Sequence, residues 1–234
     1  MKAPQRTLDV SAGDWINDRL LQGRRDEVPV GAVAPTGFER VVRVLHPAGG
    51  NPSWAQVAAE QGRVMHPLAQ WCGIFPAFNG YARSGDLDPD EGSMPPAVQE
   101  AILDHCPANG DLFYAVWVGW GFWEDPDDGP TMRGRGGYRL FTGPKAVVIT
   151  WPGMEPAWQQ SASLIWPADR SWCIATDIDW DSTLVVGDST LADALMADMR
   201  LEAVEVAYED DLSWLGDRVN PRSAWLEEYL RPGG

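Results

Sequence analysis

Short hydrophobic runs alternate with clusters of Gly, Pro and Asp along the chain, and the period of the runs changes from helical to strand-like and back. Ser11-Ala12-Gly13-Asp14 has the S-x-x-D form of a capping box and predicts a first helix from about Ser11 to Leu21, stopped by Gly23 and the charged Arg24–Glu27 stretch. Glu39 to Leu45 alternates as a strand, with Val42 and Val44 on one face and Arg40 and Arg43 near the edges. Pro47 to Pro52 reads as a loop. Trp54, Val57, Ala58 and Gln61 then recur at helical spacing and predict a short second helix. Pro95 and Pro96 stand where a first helical turn tolerates proline, and Val98, Ile102 and Leu103 continue a stripe up to Cys106 as a third helix.

The second half is richer in strands. Leu112 to Trp123 is dense in aromatic and β-branched residues, the Glu124–Gly129 stretch turns it, and Tyr138 to Phe141 is its antiparallel partner. From Trp172 to Trp180 the residues alternate: Trp172, Ile174, Ile178 and Trp180 point one way, Cys173, Ala175, Asp177 and Asp179 the other, which predicts one buried and one wet face. Ser182 to Gly187 is the return arm. Thr190-Leu191-Ala192-Asp193 is a second capping box, opening a helix with Leu191, Leu195 and Met199 on one stripe. Leu201 to Ala207 returns as a strand, and Ser223 to Leu230 closes the chain as a helix. Paired strands between helices, without strict β-α-β alternation, predict an α+β fold: an antiparallel or mixed sheet with flanking helices in a single compact domain over 1–234, with flexible ends at about 1–8 and 231–234.

Composition narrows the function classes. At 44% hydrophobic and 22% charged residues the chain is an ordinary globular one. Its 18 Lys and Arg against 34 Asp and Glu leave a net charge of −16, which argues against binding nucleic acid or an anionic membrane and for a basic protein partner or cations. The cations are almost all Arg, with Lys2 and Lys145 as the lysines, a bias typical of GC-rich bacterial genomes. Cys72, Cys106 and Cys173 are too few and scattered for a disulfide framework and read as reduced and buried. Met1 to Val10 has no apolar core of signal-peptide length, and no run is long enough to span a bilayer, so the expected location is the cytoplasm.

Several local signatures occur together: Val30-Gly31-Ala32-Val33-Ala34-Pro35-Thr36-Gly37-Phe38-Glu39 leading to Arg43-Val44-Leu45-His46-Pro47-Ala48, then Trp117-Val118-Gly119-Trp120-Gly121, Tyr138-Arg139-Leu140-Phe141-Thr142-Gly143-Pro144, and Trp166-Pro167-Ala168-Asp169-Arg170-Ser171-Trp172-Cys173-Ile174-Ala175-Thr176-Asp177-Ile178-Asp179. As a set they resemble a family of actinobacterial proteins, over most of the chain from Val30 to about Val206. The resemblance agrees with the composition and brings no catalytic role with it. In size, acidity and tryptophan content the chain is also similar to a group of bacterial immunity proteins, a likeness of architecture alone.

Candidate chemistry centres on acids and tryptophans. Asp177, Asp179 and Asp181, alternating on a strand, would set their carboxylates in a row able to share a divalent cation. As a calcium loop the stretch lacks the turn glycine, having Ser182 instead, and ends on Asp188 in place of Glu. Asp86, Asp88 and Asp90 repeat the spacing but reach Ala97 at the closing position. His46, His66 and His105 have no zinc-ligand spacing, leaving only an assembly of His46, His66 and Cys72 in space. Gly134-Arg135-Gly136-Gly137 offers amides and a guanidinium to an anion without opening a helix. Among the 13 tryptophans, Trp117 and Trp120 with Tyr138 could line an aromatic pocket, and Asp169 and Arg170 could pair to anchor the turn between Trp166 and Trp172. Three readings follow: a non-catalytic binding protein, immunity-like or regulatory, whose acidic, Trp-rich surface engages a basic protein; a metal-assisted hydrolase using Asp177, Asp179 and Asp181; and a binder of a small ligand or peptide in an aromatic pocket. No cofactor is expected beyond a divalent cation in the second.

Overall fold

Valine-rich β2 (Arg40–Leu45) lies inside a sheet with hydrogen-bonded neighbours on both sides, and its β-branched residues are buried on both faces by two separate packed layers. The computed structural model describes residues 4–24, 27–50, 52–78, 87–125, 129–133, 137–145 and 150–231. The other strands are β1 (Gln5–Arg6), β3 (Leu112–Trp117), β4 (Tyr138–Gly143), β5 (Leu164–Pro167), β6 (Cys173–Thr176), β7 (Ser182–Gly187) and β8 (Glu202–Val206). They form one antiparallel sheet in the order β1-β4-β3-β5-β6-β7-β2-β8, so the fold is α+β and a single sheet unites the chain from Gln5 to Val206.

The sheet is covered on both faces. On one side, Val42, Val44, Tyr114, Ile174 and Val185 meet α4 (Pro96–His105) through Val98, Ile102 and Leu103, and α5 (Ser189–Ala197) through Leu191 and Leu195. On the other, Val41, Cys173, Ala175, Leu184 and Val186 meet Trp15 and Ile16 of α1 (Asp14–Asn17), together with Val30, Ala34 and Leu212. The alternation at Trp172–Ala175 is therefore as predicted, but its second face is not wet: Cys173 and Ala175 are buried there in one cluster with Trp15 and Trp166. A third cluster closes the end of β2, where α2 (Trp54–Glu60), α3 (Trp71–Ile74) and α6 (Ala224–Tyr229) pack Trp54, Trp71, Ile74 and Leu226 together. A capping box at Ser53 and Gln56 starts α2.

Several boundaries differ from the pattern. The first helix is capped by Asp9, whose carboxylate accepts from the Ser11 amide, and a 3-10 turn leads into an α1 that ends at Asn17, short of Leu21. The Leu112 strand stops at Trp117, where a 3-10 turn ends on left-handed Gly121 at φ 73°. The Trp172 strand stops at Thr176, so Asp177 to Asp181 form the β6–β7 turn and no strand row. Helix α5 is capped by Asp188, which accepts from Leu191 N at 2.8 Å, ahead of the expected Thr190, and ends before Met199. Gln5–Arg6 is a strand where a flexible end is expected. Strand β5 and helix α3 have no signal because an unbroken apolar run and a single helical turn carry no readable period.

The end of α5 offers a direct check. Leu195 is fully buried and Met199 is 97% exposed. Leu195→Ala is expected to lower stability to urea by about 2–5 kcal/mol, and Met199→Lys to change it by less than about 0.5 kcal/mol. A large loss from Met199→Lys would restore the longer apolar stripe.

Candidate functional site

A lone charge inside a strand as apolar as Val41-Val42-Arg43-Val44-Leu45 has to find acceptors within the protein. Arg43 is 1% exposed and finds them at the β6–β7 end of the sheet. Its Nε donates to Ser182 Oγ at 3.0 Å and one terminal nitrogen to the carbonyls of Ala69 at 2.8 Å and Pro67 at 3.2 Å. The other terminal nitrogen lies 3.7 Å from Asp181 Oδ1, and the guanidinium stands 5.5 Å from the Trp54 ring centre. Arg43 is thus no edge residue. Burial pushes the Asp181 carboxyl above its ordinary range, and the Arg43 charge opposes that shift.

A second set of contacts brings an acidic loop to the same turn. The His46 ring is buried, and Nδ1–H donates to the carbonyl of Asp90 at 2.7 Å while Nε2 accepts from the Thr183 hydroxyl at 2.9 Å. Thr183 in turn accepts from Thr176 at 2.9 Å. Burial holds the imidazole neutral by pulling its pKa down to about 4. Two residues on, the Gly92 amide donates to Trp180 O at 2.9 Å. Gly92 has φ 75°, and a Cβ there would stand 2.4 Å from Ile178 O, so only glycine fits. Glu91 is thereby seated beside the turn. Its carboxyl is pushed up to about 7, first by loss of surrounding water and then by the charges of Asp181, Asp179 and Asp88, although its outer flank is exposed.

The opposite wall comes from elsewhere in the chain. Segment 28–31 is hydrogen-bonded to 208–212, with Gly31 N donating to Tyr208 O at 2.9 Å and Leu212 N to Val28 O at 3.0 Å. Trp214 follows, packed edge-on against Trp225 at 4.8 Å and Tyr229 at 5.3 Å. Between these walls lies a cleft of about 390 Å³ lined by Asp177, Asp179, Asp181, Glu91, Gln70, Trp180 and Trp214 over an apolar floor of Val28, Ala32, Val33 and Leu212. Asp177 is buried at 6% exposure, and its Oδ1 accepts from the Asp179 amide at 3.0 Å. The three predicted aspartates do converge, on a turn, and Asp181 faces a buried guanidinium. Among the described residues no group of three or more His, Cys, Asp or Glu is placed to hold a metal ion.

The remaining predicted residues fall outside this cleft. Trp117 and Trp120 pack edge to face at 5.5 Å, and Tyr138 pairs with Trp117 across β3–β4 but lines a different pocket from the acidic one. Asp169 and Arg170 do not pair: Asp169 accepts from the Ser171 amide and hydroxyl, and Arg170 lies 5.6 Å from the Trp15 ring centre. His66 bonds Asp217 at 2.9 Å, His105 bonds Asp198 at 2.8 Å, and burial, with the charges of Asp181 and Asp217 adding to it, pushes the Cys72 thiol up to about 12; His46, His66 and Cys72 do not come together as a metal-ligand set. All three cysteines are free and buried. Asp88 accepts from the Trp71 indole at 2.7 Å, while Asp86 and the 134–136 loop lie outside the described residues.

Glu91, Gln70, Trp180 and Trp214 were not singled out by sequence pattern. The Glu91-Gly92 pair carried the best available signal, an acid next to a residue able to take positive φ. No protein-family model matches the chain, and no curated protein or solved structure shows significant similarity to it. Among the described residues no helix is long and apolar enough to cross a membrane.

The crowding of Glu91 has a pH signature. A folded-state pKa near 7 against an ordinary 4.5 means that the folded form keeps a proton the unfolded form has lost. The associated stability is present below pH 4.5 and is lost as pH rises through 7. Glu91→Gln is therefore expected to raise the melting temperature at pH 8, with the gain shrinking toward pH 4.5. A gain of equal size at both pH values would remove Glu91 from the charge cluster.

Proposed function

We propose that the chain is a non-catalytic, cytoplasmic binding protein, immunity-like or regulatory, whose acidic cleft takes a cationic side chain presented by a basic protein partner. The observation that supports this reading is the convergence of Asp177, Asp179, Asp181 and Glu91 on one tryptophan-edged cleft, where Arg43 and Gly92 seat the acids although loss of water first, and the neighbouring carboxylates next, raise Glu91. Like charges gathered at a cost in stability are characteristic of functional sites. The cleft volume of about 390 Å³ is in the range of ligand pockets, enough for an extended Arg or Lys stem. Trp180 and Trp214 line the cleft, and a tryptophan ring beside a bound cation adds cation–π attraction to that of the carboxylates. Three free, buried cysteines agree with a reducing compartment.

Titration calorimetry of the full chain with an arginine-rich peptide tests the reading. The expected result is saturable binding in physiological salt, weakened about tenfold or more, a change of at least about 1.4 kcal/mol, by Asp177→Asn with Trp180→Ala. The unliganded double variant should keep the parent's circular dichroism spectrum with a lowered melting temperature, since Trp180 packs against the core and Asp177 is buried. Binding that vanishes in physiological salt, or that the double variant retains in full, would sink the idea. Selective thermal stabilisation by magnesium, calcium, manganese or zinc would instead favour the metal-assisted hydrolase built on the same aspartates.

A further inference from the structure

The four acids of the cleft are not equally available. Asp177 Oδ1 accepts from the Asp179 amide at 3.0 Å, Asp179 is likewise engaged, and Asp181 stands 3.7 Å from the Arg43 guanidinium. These three set the sign of the cleft and have partners of their own. The Glu91 carboxyl makes no hydrogen bond and no ion pair among the described residues. What faces it is the charge of Asp88 from its own segment and of Asp179 and Asp181 from the β6–β7 turn.

A second free acceptor belongs to the same cleft, and it is neutral. Gln70, immediately before α3, lines the cleft yet is only 4% exposed. Its backbone is fixed: the N–H donates to Asp217 Oδ2 at 3.3 Å, and the carbonyl accepts from the Gly73 and Ile74 amides at 2.8 and 3.0 Å. The side-chain Nε2 donates to Leu68 O at 3.3 Å, which assigns the nitrogen and oxygen ends of the amide. Oε1 is left with no donor among the described residues and does not cap the helix that follows. It is not sealed from solvent, and the opening that Gln70 lines is the cleft. Polar groups this deeply placed are almost always satisfied, so the free oxygen points to a donor that arrives from outside.

Negative charge and tryptophan edges would suit two kinds of cation. A quaternary ammonium brings charge and methyl groups to the rings and carries no donor. A guanidinium or a primary ammonium brings N–H groups as well. The two free acceptors decide between them. A cation without N–H would strip water from Gln70 Oε1 and Glu91 and give no hydrogen bond back, which is the situation in which a polar site rejects an analogue most strongly.

We infer that the cleft selects its cation by N–H donation: Gln70 Oε1 and the Glu91 carboxylate receive the N–H groups of an arginine or unmodified lysine side chain, and a quaternary ammonium is refused. Gln70 is thereby a specificity-determining residue. The inference deepens the cation-binding reading and rests on it.

Calorimetry of the full chain with three peptides of equal length and charge tests it: an arginine-rich peptide, its counterpart with lysine at every arginine position, and its counterpart with trimethyllysine there. The titrations are run at pH 8, above the value of about 7 to which Glu91 is raised. The arginine or the lysine peptide should bind at least about tenfold more tightly than the trimethyllysine peptide. Gln70→Leu should erase most of that preference by weakening the N–H peptides while leaving trimethyllysine affinity unchanged. Gln70→Met, which keeps an unbranched stem, takes its place should circular dichroism show the first variant misfolded. Trimethyllysine binding as tightly as arginine and lysine in the parent protein overturns the inference and leaves the cationic cleft standing on charge and rings alone. A preference that the Gln70 variant retains in full also overturns it, and silence from all three peptides removes both this inference and the reading beneath it.

Discussion

One end of the sheet depends on a single buried guanidinium. Arg43 occupies a strand position where any apolar residue would have packed, and it must be surrounded by oxygen. Its donors accordingly tie together two stretches remote from it and from each other in sequence: Pro67–Ala69, and the β6–β7 turn at Asp181 with the start of β7 at Ser182. Because the fork is planar and rigid, these contacts fix position as well as attraction. Removing it would leave Asp181 as a buried acid with no compensating charge, which is more damaging than the loss of any one hydrogen bond. The His46 contacts and the Gly92 approach act on the turn that Arg43 has already placed.

Much of the architecture was legible because helices α2, α4 and α6 and strands β2, β4 and β7 each have a clear period or cap. The failures share a cause: local pattern does not report what lies across a sheet. Cys173 and Ala175 sit opposite the Trp172 and Ile174 face, and their small size was compatible with a wet surface; in the structure they are buried in one cluster with Trp15 and Trp166. Extending the same alternation to Asp177 and Asp179 carried a strand past its end. The aspartates nonetheless belong together, since a tight turn gathers alternate side chains as a pleat does.

The rest of the site was hidden for a different reason. Glu91 reaches the cleft through a glycine whose need becomes visible only when Ile178 is seen to crowd it. Arg43 was in view as a charge among valines, and its partners were not. The tryptophans divide in the same way: Trp54, Trp151, Trp166 and Trp172 serve the core, while Trp180 and Trp214 keep enough exposed surface to edge the cleft.

The pairing of β2 with β7 carries a consequence for how the protein is made. Arg43 and Ser182 are separated by 139 positions, and β8, on the other side of β2, is later still. As the chain leaves the ribosome, β2 emerges long before either neighbour exists, with a valine-rich edge and an arginine whose donors are met by water until the protein's own oxygens arrive. The charge that later locks the sheet guards that strand in the meantime, since two arginines among the valines discourage it from pairing with another copy.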